Sequence, residues 1–256
     1  MFDTILGHWP THKKFIMTGC DEKYFNKYFP RFYKTFTTLW ELPIHVHVTD
    51  PSKQSLDRLE KLNVSYTYCY TNKFDWKTLV NKFRIEHPGL YAVQPEALLK
   101  NYVYESYCQS KRFIVASIMQ TKDQSIIIAD VDAYAKNKPS SKMRKNLFKN
   151  TAFTVHNGRL MATFCHFHPR DLDKIRRYGT KLLNIVTKQS WKIGIDQKML
   201  NEIHKENAVA LNGTWMRHKN VKGAEDKKLH DECIIYHEKG TRGKLKPVEM
   251  SWTDIE

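Results

Sequence analysis

Ser125-Ile126-Ile127-Ile128-Ala129-Asp130-Val131-Asp132-Ala133-Tyr134 is an apolar run that stops abruptly at two carboxylates one residue apart. Three consecutive β-branched residues between polar neighbours predict a buried strand, and in α/β sheets the crevice beyond strand C-termini is where ligands sit. Carboxylate oxygens are hard ligands suited to Mg2+ or Mn2+, and so small a protein ligand set leaves coordination positions open for phosphates. The competing reading is an Asp-rich turn that only caps the strand.

Upstream of this stretch the pattern alternates. Lys14 to Gly19 reads as a strand, Tyr24 to Trp40 as a helix that Pro30 interrupts, and Pro43 to Thr49 as a strand ended by Asp50-Pro51-Ser52. Ser55 to Leu62 and Asp75 to Ile85 have helical spacing around a short strand at Val64 to Tyr70, and Pro95 to Met119 gives one long or two abutting helices. The order β-α-β-α-β-α-α-β predicts a largely parallel sheet with helices on its faces. Downstream, Lys136 to Asn146 reads as a mobile basic loop, and Ala152–Val155 with Arg159–Cys165 as a hairpin turning at Asn157-Gly158. Asp171–Val186 and Asp196–Lys205 read as helices, and the polar segment 207–231 as a lid or surface loop.

At 256 residues the chain suits one large domain or two modest ones. No apolar run approaches the ~20 residues of a bilayer span, and the N-terminal segment lacks a signal-peptide core, so a soluble cytoplasmic protein is expected. Five cysteines, Cys20, Cys69, Cys108, Cys165 and Cys233, contain no CxxC pair and suggest buried thiols. His45-Val46-His47 and Cys165-His166-Phe167-His168 each put two candidate transition-metal ligands on one strand face.

The net charge of +15 is uneven: residues 1–132 hold 17 Lys/Arg against 14 Asp/Glu, and residues 133–256 hold 25 against 13. No acid falls between Asp132 and Asp171, a stretch that carries Lys136, Lys138, Lys142, Arg144, Lys145, Lys149, Arg159 and Arg170. Such a field suits a polyanionic partner, whether nucleic acid, anionic glycan or membrane surface, or is simply a solvated face.

Taken together, the chain resembles glycosyltransferases of the GT-A fold, in which a Rossmann-like nucleotide-binding half ends in an acid-any-acid motif. The matching segments, in order, are Arg112-Phe113 ahead of the motif strand, Asp130-Val131-Asp132, Ile195-Asp196-Gln197 with Leu200-Asn201, and His237-Glu238-Lys239-Gly240. The resemblance implies an α/β, GT-A-like mainly parallel sheet flanked by helices. It also implies a single compact domain of two abutting halves, 1–132 binding the nucleotide sugar and 133–256 the acceptor. Asp130, Asp132 and His237 would hold Mn2+ or Mg2+. Thr18, Gly19, Cys20, Asp21, Arg112, Lys239 and Gly240 would contact the donor, a UDP-sugar being favoured, with Arg112 either touching the nucleotide or orienting the acid motif and Arg242 or Lys244 assisting at the diphosphate. Asp196 or Gln197 would act beside the sugar, in a spacing closer to retaining enzymes such as the glycogenin-like ones.

An excess of positive charge in an acceptor-binding half points to DNA as acceptor, as in bacteriophage enzymes that glycosylate hydroxymethylated pyrimidines, with Lys136, Lys138, Lys142, Arg144, Lys145 and Lys149 on its phosphates. Phe148, Phe153, Phe164, Phe167, Trp191 and Trp215 are then stacking candidates. An anionic envelope glycan such as lipopolysaccharide is the alternative acceptor. A nucleotidyltransferase, a nuclease or a non-catalytic basic module are the other classes left open; the Gly-Ser pair expected of the first is replaced by Ala116-Ser117.

Overall fold

The computed structural model describes residues 4–72, 74–86, 89, 93–156, 158–187, 195–204, 209–211, 214–218, 228, 231–237 and 250–255. Its first half runs β1 (Leu6–Gly7), β2 (Lys14–Asp21), α1 (Glu22–Trp40), β3 (Ile44–Thr49), α2 (Lys53–Lys61), β4 (Ser65–Cys69), α3 (Trp76–Glu86), α4 (Glu96–Met119) and β5 (Ser125–Ala129). The second half runs β6 (Ala133–Ala135), α5 (Ser141–Leu147), β7 (Ala152–His156), β8 (Arg159–Phe167), α6 (Leu172–Thr187), α7 (Ile195–His204), β9 (Val209–Leu211), β10 (Met216–His218) and β11 (Ile235–His237).

β2 and β5 are central because both faces of each are apolar. Phe15, Met17, Ile126 and Ile128 enter one core, and Ile16, Cys20, Ile127 and Ala129 enter the other. The first core is closed by α4, α6 and α7 through residues such as Phe113, Ile175, Tyr178 and Leu200; the second is closed by α1. α1 buries Phe25, Phe29, Phe32, Phe36 and Trp40 on one helical stripe. At ~1.5–3 kcal/mol per buried side chain, that stripe outweighs the ~3 kcal/mol penalty of an interior proline. The helix therefore continues through Pro30, where the sequence suggests a break.

The main sheet has the order β1-β4-β3-β2-β5-β8-β7-β9. β4, β3, β2 and β5 are mutually parallel, whereas β8 runs antiparallel to β5 and to β7. The sheet is continuous across Asp132, drawing strands from both halves. From β2 the chain winds outward through β3 and β4, then crosses back over α3 and α4 to β5 on the other side of β2. That reversal creates a switch point between β2 and β5, where a crevice opens beyond their C-terminal ends. A second sheet, β10-β11-β6, lies beside it.

Two glycines let helices approach closely. A Cβ on Gly19 of β2 would lie 2.8 Å from Arg112 Cβ on α4, and one on Gly179 of α6 would lie 1.7 Å from Ser117 Oγ of α4. The segment read as a mobile loop, 136–146, instead holds the start of α5: Ser140 caps it by accepting from the Met143 amide at 3.2 Å, and Leu147 is buried. Gly158 has φ 71, as a tight turn between β7 and β8 requires, and Asn157 lies outside the described residues. No described helix is long and apolar enough to cross a membrane.

Candidate active site

β5 stops at Ala129, and the next four residues form a turn closed by the Ala133 amide on the Asp130 carbonyl at 3.0 Å. Val131 turns into the core, so the carboxylates on either side of it face the crevice. β6 then pairs antiparallel with β11 in a register that sets His237 opposite Ala133. This pairing brings in the third group: His237 Nε2 lies 3.0 Å from Asp130 Oδ2 and 3.1 Å from Asp132 Oδ1.

Among the described residues these three are the group of His, Cys, Asp or Glu arranged to hold a metal ion, with ligand atoms within 4.8 Å of one another. Ligands about 2.1 Å from an octahedral ion and at right angles stand about 3 Å apart, which is the spacing of the two nitrogen–oxygen pairs. The donor set and its spacing therefore fit a divalent cation. Burial opposes a charge on His237, but Asp132 and Asp130 prevail and lift its pKa to about 9. Without a metal, an imidazolium thus supplies the positive charge that the carboxylates gather around.

Asp130 is held from its other oxygen by Arg112, an ion pair buried on both sides. The same guanidinium donates to the Ala162 carbonyl at 3.1 Å and lies 3.9 Å from Asp196 Oδ2. Burial opposes the arginine's charge; Asp130 and then Asp196 more than offset it. The β7–β8 register shifts between Phe153 and Thr154, leaving Ala162 and Thr163 of β8 out of step with β7. Their backbone groups are taken up by the site: the Asp130 amide donates to the Thr163 carbonyl at 2.9 Å, and the Ala162 amide to Gln197 Oε1 at 2.8 Å. Asn201 secures the same strand through both the amide and the carbonyl of Leu160. With its oxygen so engaged, Gln197 leaves a buried Nε2 without a hydrogen-bond partner among the described residues.

The crevice is lined by Gly19, Cys20, Asp21, Tyr24, Glu105, Cys108, Gln109, Arg112, Asp130, Val131 and Asp132. Thr18, expected beside the donor, is fully buried and does not line it. The Asp21 side chain caps α1, accepting from the Tyr24 amide at 2.7 Å. Burial pushes the Cys20 and Cys108 thiols well up, so neither offers a thiolate nucleophile. Tyr24, Glu105, Cys108 and Gln109 escaped the sequence reading, although 105, 108, 109 and 112 form one helical stripe ending at Arg112. Lys239, Gly240, Arg242, Lys244 and Trp191 lie outside the described residues.

The histidine pairs serve the protein interior. His45 bonds Ser65 and Thr67, His47 bonds Thr67, and His166 bonds Ser125 and the Asn150 carbonyl, which leaves no metal-binding arrangement there. Of the stacking candidates, Phe153, Phe164, Phe167 and Trp215 are core residues. Lys136 and Lys138 are paired with Asp231 and Glu41. Lys145 and Arg144 line a pocket with Lys14, at the start of β2 and so at the opposite end of the sheet from the crevice; Lys142 and Lys149 are exposed on and just after the same helix.

No family model and no curated relative matches the chain. Solved structures do. The galactosyltransferase LgtC in complex with donor and acceptor sugar analogues aligns with TM-score 0.50 at 10% identity, over 89% of this chain and 87% of that one. An active-site mutant of LgtC gives 0.51 at 10% identity over the same shares. The apo structure of the bifunctional glycosyltransferase WbbM gives 0.58 at 13% identity over 93% of this chain but 48% of that one, so the chain spans about half of WbbM's length. The chain has the α/β fold of GT-A glycosyltransferases, as its acid pair and strand order suggest.

Proposed function

We propose that this protein is a metal-dependent glycosyltransferase that takes its sugar from a nucleoside diphosphate, UDP being favoured. The observation that carries this reading is the convergence of Asp130, Asp132 and His237 at the switch point of a GT-A sheet. Asp130 Oδ2, Asp132 Oδ1 and His237 Nε2 would hold the ion, and the imidazole nitrogen favours Mn2+ over Mg2+. Bound there, the cation would neutralise charge developing on the diphosphate leaving group.

The chain's own residues do the positioning. Arg112 fixes the rotamer of Asp130 and neutralises part of the buried negative charge. Gly19 lets α4 close on β2, which sets the width of the crevice. Gln197 is locked by Ala162 with its Nε2 buried and without a partner among the described residues, and Asp196 stands on the far side of Arg112; neither lines the crevice, and they are proposed as the amide and the carboxylate nearest the sugar. Buried donors and acceptors of this kind support either retention or inversion. Lys239 and Gly240 come two and three residues after His237 in the chain and are proposed for the diphosphate.

A sugar hydroxyl is the first reading for the acceptor, since LgtC was solved with an acceptor sugar analogue; an anionic envelope glycan is the version that uses the net charge. Hydroxymethylated DNA is the second reading, and it rests on the +15 charge. A screen of nucleotide sugars with Mn2+, followed by mass spectrometry of glycan and DNA acceptors, tests the proposal. Metal-dependent transfer that disappears in Asp132→Ala is expected, and unchanged turnover by that variant or in chelator would overturn it.

A further inference from the structure

One group of described lysines and arginines lies far from the crevice. β2 runs from Lys14 to the crevice residue Asp21, and at ~3.3 Å per residue its ends lie about 23 Å apart. At the Lys14 end, Lys14 Nζ sits 4.7 Å from the centre of the Phe148 ring, and Phe148 meets His166 edge-on at 5.1 Å. Lys14, Arg144, Lys145 and Phe148 line a pocket there, with Lys142 and Lys149 exposed on and just after α5. Among the described residues none of Lys14, Lys142, Arg144, Lys145 and Lys149 makes an ion pair, and residues 133–170 contain no acid at all.

We propose that this face is a docking surface for an anionic lipid bilayer. Four of its five cations are lysines, point charges on flexible stems that suit a diffuse layer of headgroup phosphates, whereas reading of nucleic acid leans on forked arginines. Its aromatic ring offers no stacking platform, since Lys14 covers the face of Phe148 and His166 abuts it. An anion held here stands a sheet's length from Asp130 and Asp132, so it is not the reacting group. A bilayer on this face leaves the crevice open to solvent. The inference is independent of the proposed reaction.

The test is co-sedimentation of the protein with vesicles of phosphatidylcholine, with and without phosphatidylserine, at low and high salt. Binding to the phosphatidylserine vesicles alone, weakened by salt, is expected. Each cation near such a surface contributes about fivefold, so the triple variant K142E/R144E/K145E loses more than ~100-fold. K61E/K77E/K82E makes the same change in net charge on exposed lysines elsewhere and retains binding. Circular dichroism establishes that both variants are folded. Absent vesicle binding, equal loss in the two variants, or tighter binding to a DNA duplex than to the vesicles at the same salt would each overturn the proposal.

Discussion

Replacing Arg112 by methionine removes the cation that bridges Asp130 and Asp196 while keeping most of the apolar stem. The guanidinium is buried and engages Asp130, the Ala162 carbonyl and, at 3.9 Å, Asp196. Breaking a buried ion pair from one side costs about 3–5 kcal/mol, and Asp130 then keeps His237, 3.0 Å away, as its counter-charge. A chain of this size loses ~2–4 °C of thermal midpoint per kcal/mol, so R112M should melt roughly 6–20 °C lower. Asp130→Asn in the same background removes the carboxylate left without its guanidinium. The double variant R112M/D130N should therefore be at least about 2 kcal/mol more stable than the sum of the two single changes. It should remain inactive, because Asp130 is also a candidate metal ligand. Differential scanning calorimetry of metal-free protein near neutral pH measures all four forms. A midpoint within about 2 °C of the parent for R112M, or strict additivity in the double variant, would refute the view that a buried charge pair organises the site.

His237 titrates at about 9 in the folded protein against an ordinary 6.5. A raised value means that its contribution to stability is complete below pH 6.5 and disappears as pH climbs through about 9, and H237Q should erase that dependence in metal-free melts. A divalent ion must displace the same proton, so Mn2+ affinity by titration calorimetry should tighten nearly tenfold per pH unit up to about 9; a pH-independent affinity contradicts the ligand assignment. Burial lowers His45 to about 3 and His166 and His204 to about 4. Depressed histidines add stability above pH 6.5 that is lost on acidification, with a slope reaching about 4 kcal/mol per pH unit near pH 5, and a flat urea midpoint across that range would dismiss the effect. G179A forces a methyl to within 2.2 Å of Ser117 Cβ and should destabilise by about 1–3 kcal/mol or more, with partial recovery in G179A/S117G; an unchanged melt would deny the α4–α6 contact.

What the sequence disclosed followed its periodicity. Ile126 to Ile128 read as a doubly covered strand because an unbroken apolar run has few other uses, and the alternation of strands and helices then dictated the parallel core. Strands of three residues, such as β6, β9, β10 and β11, have no period to detect, so the second sheet was invisible although it delivers His237. α5 was obscured by its lysines: composition suggested a loop, while the Ser140 cap and the inward-facing Leu147 decided for a helix. At the site, Asp130, Asp132 and His237 were legible as residue types in order. Arg112 was legible as a residue that could orient the acid motif, but its further link to Asp196 was not, since it depends on a carbonyl freed by the register shift in β8. The helical stripe 105, 108, 109 and 112 was present in the sequence but indistinguishable from an ordinary surface until the switch point fixed which way α4 faces.

The register that seats His237 opposite Ala133 spans more than a hundred residues of chain. During synthesis the aspartates emerge early and the imidazole late, so the cation site stays incomplete until the strand containing Ile235 has docked between its neighbours. A ribosome-bound chain halted before that strand would fold its large sheet yet capture the ion poorly, which makes metal uptake a reporter of a late folding event.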